Sequence, residues 1–219
     1  MFRKIYNLIR NNIAKTKIFW RFRHIIQPDV WTSYKNDSVN IRREFYSEFL
    51  NKHSLKSIFE FGCASGPNFF SIKKHANEIY FFGYDISKKA IKFVQYDKQN
   101  KRYFFTHILK EIEIINYLKI NNLKTFDLAI FDRVLYMISE AKIKLFFRKY
   151  SDYFKYIIID DFHAKNPEWD KEKYIFSKNY VIILNEFNYK LVEIKDSELP
   201  SSTAKKYAKR LIFKKLYDD

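Results

Sequence analysis

The chain has 219 residues, of which 47% are hydrophobic and 20% aromatic, with only 3 glycines and 4 prolines. That supplies apolar material for one ordinary core and excludes disorder as the main state, along with fibrous and loop-dominated designs. The 41 Lys and Arg against 25 Asp and Glu leave a formal charge of +16, and the lone Cys63 cannot form an intramolecular disulfide, so the expected location is cytoplasmic.

Lys, Asn, Ile, Phe and Tyr are all used heavily, a bias that an AT-rich coding sequence produces by itself, so total charge is weak evidence for a nucleic-acid partner. Its distribution is more informative. Before Pro28 the chain carries Arg3, Lys4, Arg10, Lys15, Lys17, Arg21 and Arg23 with no acid. Over the same stretch Phe2, Ile5, Tyr6, Ile9, Ile13 and Trp20 share one side at helical spacing, which predicts an amphipathic helix suited to capping a site or touching an anionic membrane surface. A second helix is expected over Ser38 to Asn51, from Val39, Ile41, Phe45, Phe49 and Leu50. Residues 1–51 are therefore expected to form a basic helical extension, and 52–219 one α/β domain.

From Ser57 onward short apolar runs alternate with helical segments. Strands are expected at Ser57–Phe61, Ile79–Tyr84, Tyr103–Ile108, Phe126–Phe131 and Tyr156–Asp160, with helices at Gly66–His75, Lys88–Asp97 and Ala141–Tyr153. This is the pattern of βαβ units in a mainly parallel sheet covered on both faces. A helix at Tyr180–Phe187 and a strand pair at Lys190–Ile194 and Arg210–Lys215 would close the sheet.

The strongest local motif is Glu60-Phe61-Gly62-Cys63-Ala64-Ser65-Gly66, between a strand and a helix. Glycines there let the backbone turn sharply near a ligand, and the next helix presents free N–H groups. Asp85 ends the following strand, at the distance expected of a carboxylate that receives two ribose hydroxyls. The loop lacks Gly-x-Gly-x-x-Gly spacing and begins with an acid, which suits a cationic ligand better than a pyrophosphate.

These segments, with Phe126–Phe131 followed by Asp132-Arg133-Val134-Leu135-Tyr136, resemble the class I S-adenosylmethionine-dependent methyltransferases. The resemblance implies a Rossmann-like, doubly wound sheet of about seven strands with the last one antiparallel, and S-adenosyl-L-methionine as cofactor. It maps the methionine part of that cofactor onto Glu60, Gly62, Ala64 and Gly66, its ribose side onto Asp85 and Ile86, and the neighbourhood of methionine and acceptor onto Asp132 and Arg133. Ala64 replaces the loop's middle glycine, which permits close approach at a negative φ. Thr106, His107 and Ile108 stand where many members carry an acid for the adenine.

Methyl transfer asks the protein to align an acceptor and remove its proton, so candidate bases lie at the carboxyl ends of strands. His163, Asp132 and Tyr136 have that placement. The adjacent Asp160 and Asp161 read as one cap and one solvated charge, and Cys63 as packing; no metal is expected. The acceptor is expected to be a hydroxyl on a small molecule or glycan precursor. RNA is the less favoured partner, and a non-catalytic binding module the alternative to an enzyme.

Overall fold

The computed structural model describes residues 29–36, 41–76, 78–94, 101–166, 169–170, 175–197 and 207–216. The amphipathic helix expected before Pro28 lies outside these residues, as do the start of the helix expected from Ser38 and the end of the one expected at Lys88–Asp97. The described elements run α1 (Val30–Asn36), α2 (Ile41–Lys52), β1 (Ser57–Phe61), α3 (Pro67–His75), β2 (Tyr80–Tyr84), α4 (Lys88–Val94), β3 (Tyr103–Thr106), α5 (Glu111–Ile120), β4 (Phe126–Asp132) and α6 (Glu140–Tyr150). They continue with β5 (Phe154–Phe162), a short hairpin β6 (Trp169–Asp170) and β7 (Ile175–Phe176), α7 (Tyr180–Asn185), β8 (Tyr189–Asp196) and β9 (Ala208–Lys215).

Seven strands form one sheet in the order β3-β2-β1-β4-β5-β9-β8. The first five are parallel, while β9 runs antiparallel to both β5 and β8. Continuous apolar runs such as Ile157-Ile158-Ile159 follow from burial of both faces. One face sets Ile58, Leu128, Ile130, Ile158 and Ile212 against Phe69 and Ile72 of α3 and Tyr46, Phe49 and Leu50 of α2. The other sets Phe59, Phe131, Ile157, Ile159 and Phe213 against α5, α6 and α7. Rings do much of the filling, since Phe59 alone packs within 5.0–6.2 Å of Phe82, Phe126, Phe146 and Phe154.

The strand order reverses between β1 and β4, which opens a crevice beyond their carboxyl ends. Register then fixes what lines it. Glu60 pairs with Gly83 and Ile130, Asp132 with Asp160, and Asp160 with Arg210. These elements match the expected architecture, and the structure adds α1, α5 and the β6–β7 hairpin. In α5 the residues Ile114, Tyr117 and Leu118 are buried while Ile112, Ile115 and Ile120 are exposed. Isoleucines on the exposed side weaken the 3.6-residue contrast by which a helix is recognised in a sequence. No described helix is long and apolar enough to cross a membrane.

Gly83 lets β2 lie under its neighbours, because a Cβ there would come within 2.5 Å of the Phe105 ring and 3.0 Å of Cys63 Sγ. Gly83→Ala is expected to cost about 1–3 kcal/mol by overpacking, measurable as a lower urea midpoint with an unchanged slope.

Candidate functional site

After β1 the chain makes a tight series of left-handed turns, with φ of +80° at Gly62, +48° at Ala64 and +79° at Gly66. At Gly62 a side chain is excluded twice over, since a Cβ would also lie 2.7 Å from Val134 Cγ2. The Gly62 and Cys63 amides both donate to the Tyr84 carbonyl, at 2.7 and 2.9 Å, and so tie the loop to the end of β2. Ala64 does not take the negative φ that would suit an alanine; its left-handed backbone costs roughly 1–2 kcal/mol. Its amide compensates by donating to Asp85 Oδ2 at 2.9 Å, and Asp85 Oδ1 accepts the Ser87 amide at 2.8 Å. The Asp85 carboxylate therefore locks the loop and starts α4. Ile86 beside it is half-buried. Cys63 is buried and burial pushes its thiol pKa well up, which fits packing.

Beyond β1 and β4 lies a polar cluster roofed by α2. Asn68, in the first turn of α3, donates its amide to Glu60 Oε1 at 2.8 Å and to Asp132 Oδ2 at 3.1 Å. Arg42 reaches Asp132 at 2.8 Å and Arg43 at 3.0 Å, while Arg43 also donates to Asn68 Oδ1. Burial opposes ionisation of Asp132, but Arg42 and Arg43 outweigh it and hold the carboxyl well below the usual carboxylate range. Glu60 has no such ion pair. It is 2% exposed, and Oε2 has no hydrogen-bond partner among the described residues. Burial pushes its pKa up to about 8, against the pull of the Asn68 hydrogen bond.

Asp160 is not a solvated charge. It is fully buried and accepts from Arg133 at 3.1 and 3.2 Å, from Arg210 at 2.8 and 3.0 Å, and from Ser197. Asp161 points to the opposite face, as strand alternation requires. There it accepts the Leu135 and Tyr136 amides at 2.7 and 3.0 Å and so caps the turn after β4, and burial raises its pKa to about 6. Among the described residues no three His, Cys, Asp or Glu side chains gather in a group able to hold a metal.

Tyr136 and His163 fall near this second carboxylate, apart from the Glu60–Asp132 cluster. Lys178, 1% exposed, donates to the Tyr136 carbonyl at 3.0 Å, and burial lowers its pKa to about 8. His163 Nδ1 accepts the Tyr180 amide at 3.3 Å, the ring also hydrogen-bonds the Lys178 backbone, and burial lowers its pKa. Asp132, committed to two arginines, is a weak base.

Of the residues expected at the site, the fold gathers Glu60, Gly62, Ala64, Gly66, Asp85, Ile86, Asp132 and Arg133 beyond β1, β2 and β4, and sets Tyr136 and His163 apart from them. Arg42, Arg43, Asn68 and Arg210 join the cluster without having been expected. The Arg42-Arg43 pair opening an amphipathic helix was the available signal, but its partner lies about ninety residues on, and only the topology joins them.

No family model and no curated protein sequence matches the chain. Solved structures do. The magnesium protoporphyrin IX methyltransferase of Synechocystis PCC 6803, with bound S-adenosylmethionine, superposes with a TM-score of 0.61 at 10% identity over 94% of this chain and 97% of that one. The 1,6-didemethyltoxoflavin-N1-methyltransferase of Burkholderia thailandensis, bound to its namesake and S-adenosylhomocysteine, gives 0.61 at 11% identity over 98% and 90%. A Leishmania major S-adenosylmethionine-dependent methyltransferase gives 0.57 at 14% identity over 92% and 81%. The chain has the fold of the class I S-adenosylmethionine-dependent methyltransferases.

The isolated carboxyl of Glu60 has a measurable consequence. Its native pKa near 8 stands above the unfolded value, so the native state holds a proton that the unfolded chain has already lost between pH 4.5 and 8. Stability from this group is full below about pH 4.5 and falls as pH rises through 8. Unfolding of the ligand-free protein from pH 5 to 9 should show that decline, on the order of a few kcal/mol, and Glu60→Gln should flatten it.

Proposed function

We propose that the protein is an S-adenosylmethionine-dependent methyltransferase acting on an oxygen of a small-molecule or glycan-precursor acceptor. The observation that carries this reading is the Asp85 carboxylate at the end of β2, bonded to the left-handed loop that follows β1. The residues fit the cofactor in charge as well as in shape. Glu60 Oε2, buried and without a partner among the described residues, suits an ammonium or sulfonium, and the arginines around Asp132 suit a carboxylate.

When bound, the cofactor supplies a methyl group on a positively charged sulfur. The protein's tasks are then positional. Asp85 would accept both ribose hydroxyls, Ile86 would pack against the adenine, and the backbone of Gly62, Ala64 and Gly66 would pass under the methionine portion. Arg42 and Arg43 would orient the methionine carboxylate. Thr106 has its hydroxyl engaged by the backbone of Ile108, at 2.8 and 3.1 Å, so the adenine would meet backbone groups there. On the acceptor side, His163, with Tyr136 beside it, would take the proton that the acceptor hydroxyl loses as the methyl arrives. That solved structures of this fold act on a protoporphyrin and a toxoflavin precursor supports a small acceptor.

Calorimetry with S-adenosylhomocysteine tests the cofactor placement. Asp85→Ala removes a charged acceptor from two hydroxyls, roughly 1.5–3 kcal/mol, and should weaken binding about ten- to a hundredfold. Unchanged affinity would overturn it. Labelled methyl from S-adenosylmethionine, offered separately to small-metabolite, glycan and RNA fractions, should appear in one of the first two; label confined to RNA would overturn the acceptor class.

A further inference from the structure

Asp160 is fully buried, and one guanidinium would neutralise it. Arg210 already does so, with two hydrogen bonds to Oδ2 at 2.8 and 3.0 Å and its guanidinium 4.0 Å above the centre of the Phe45 ring. Arg133 nevertheless brings a second guanidinium to Oδ1, through Nε and Nη2, and is steadied by Ser197. It does so from a left-handed backbone, φ +55°, which an arginine adopts only at a cost. Neither strain nor a surplus positive charge is required to stabilise Asp160.

The second guanidinium is also the more accessible one. Arg133 follows directly on the last residue of β4, beside the crevice, and its side chain is 18% exposed against 10% for Arg210. Its Nη1 has no partner among the described residues, while Nε and Nη2 are held. The guanidinium lies 5.4 Å from the centre of the Phe162 ring, and the Tyr136 ring meets Phe162 edge-on at 5.0 Å. A fixed, partly exposed guanidinium carrying surplus charge, next to two aromatic rings, is suited to an oxyanion on a flat or apolar body.

We infer that Arg133 is a specificity residue and that the acceptor carries an oxyanion, a carboxylate or a phosphate, which the free edge of Arg133 holds beside Phe162 and Tyr136. This rests on the methyltransferase reading and adds the acceptor's charge to it. Arg42 and Arg43 at Asp132 are left for the cofactor carboxylate, and Arg133 takes the acceptor. Arg42 also lies 3.8 Å from Asp160, so the two carboxylates share one cluster of guanidiniums, in which Arg133 presents the more accessible edge.

The test uses the full-length protein saturated with S-adenosylhomocysteine and four probes: benzoate, phenyl phosphate, and the neutral benzamide and benzyl alcohol. Binding is followed by calorimetry. An anion should bind at least tenfold more tightly than its neutral counterparts, and raised salt should erode that preference. Whichever of benzoate and phenyl phosphate binds more tightly identifies the group. Arg133→Gln, which keeps a donor toward Asp160 but no charge, should abolish the preference while S-adenosylhomocysteine still binds, and Arg133→Lys should retain part of it. No preference in the wild type, or an equal preference in Arg133→Gln, would overturn the inference. Failure of the wild type to bind S-adenosylhomocysteine would instead overturn the methyltransferase reading beneath it.

Discussion

Two carboxylates lie side by side at the ends of β4 and β5. Asp132 and Asp160 are paired in register, and both are taken out of water where the sheet meets α2. Like charges in that setting are tolerable only with cations packed around them, because removing one member of a buried pair leaves an uncompensated charge. Much of the architecture near the crevice follows from meeting that demand. α2 must lie across the strand ends so that Arg42 and Arg43 reach Asp132, and β9 must join the sheet antiparallel so that Arg210 stands opposite Asp160. The chain leaving β4 also turns left-handed and brings Arg133 onto Asp160 as a further guanidinium. Segments far apart in sequence are thereby fixed at one place.

This explains which parts of the molecule the sequence displays and which it hides. Strands buried on both faces appear as unbroken runs such as Ile157-Ile158-Ile159, and their alternation with amphipathic helices reveals the parallel sheet. The loop after β1 is legible because backbone geometry demands glycine at Gly62 and Gly66, and Asp85 because a lone carboxylate directly after an apolar strand stands out. Ion pairing across the topology leaves no such local mark. Asp160 looks like any polar residue at a strand end until the fold surrounds it with arginines from β4 and β9. α5 escapes for another reason, since isoleucines on its exposed side weaken the amphipathic contrast by which helices are recognised.

Asn68 divides its amide between two carboxyl groups, and what distinguishes them is their other neighbours. Asp132 has two arginines and remains ionised; Glu60 has none in contact and is driven toward its neutral form by burial. Environments that push two nearby carboxyl groups apart in this way let one site hold a permanent charge and a conditional one. The permanent charge organises the arginines. The conditional one responds to what enters: a cation placed beside Glu60 Oε2 favours the ionised carboxylate, so binding a positively charged group and releasing a proton become one event. A neutral group in the same place gains nothing from the ionised form, and Glu60 keeps its proton. Glu60 is thus the residue at which loss of a ligand's positive charge would be felt, while Asp132 and Asp160 hold the surrounding frame unchanged.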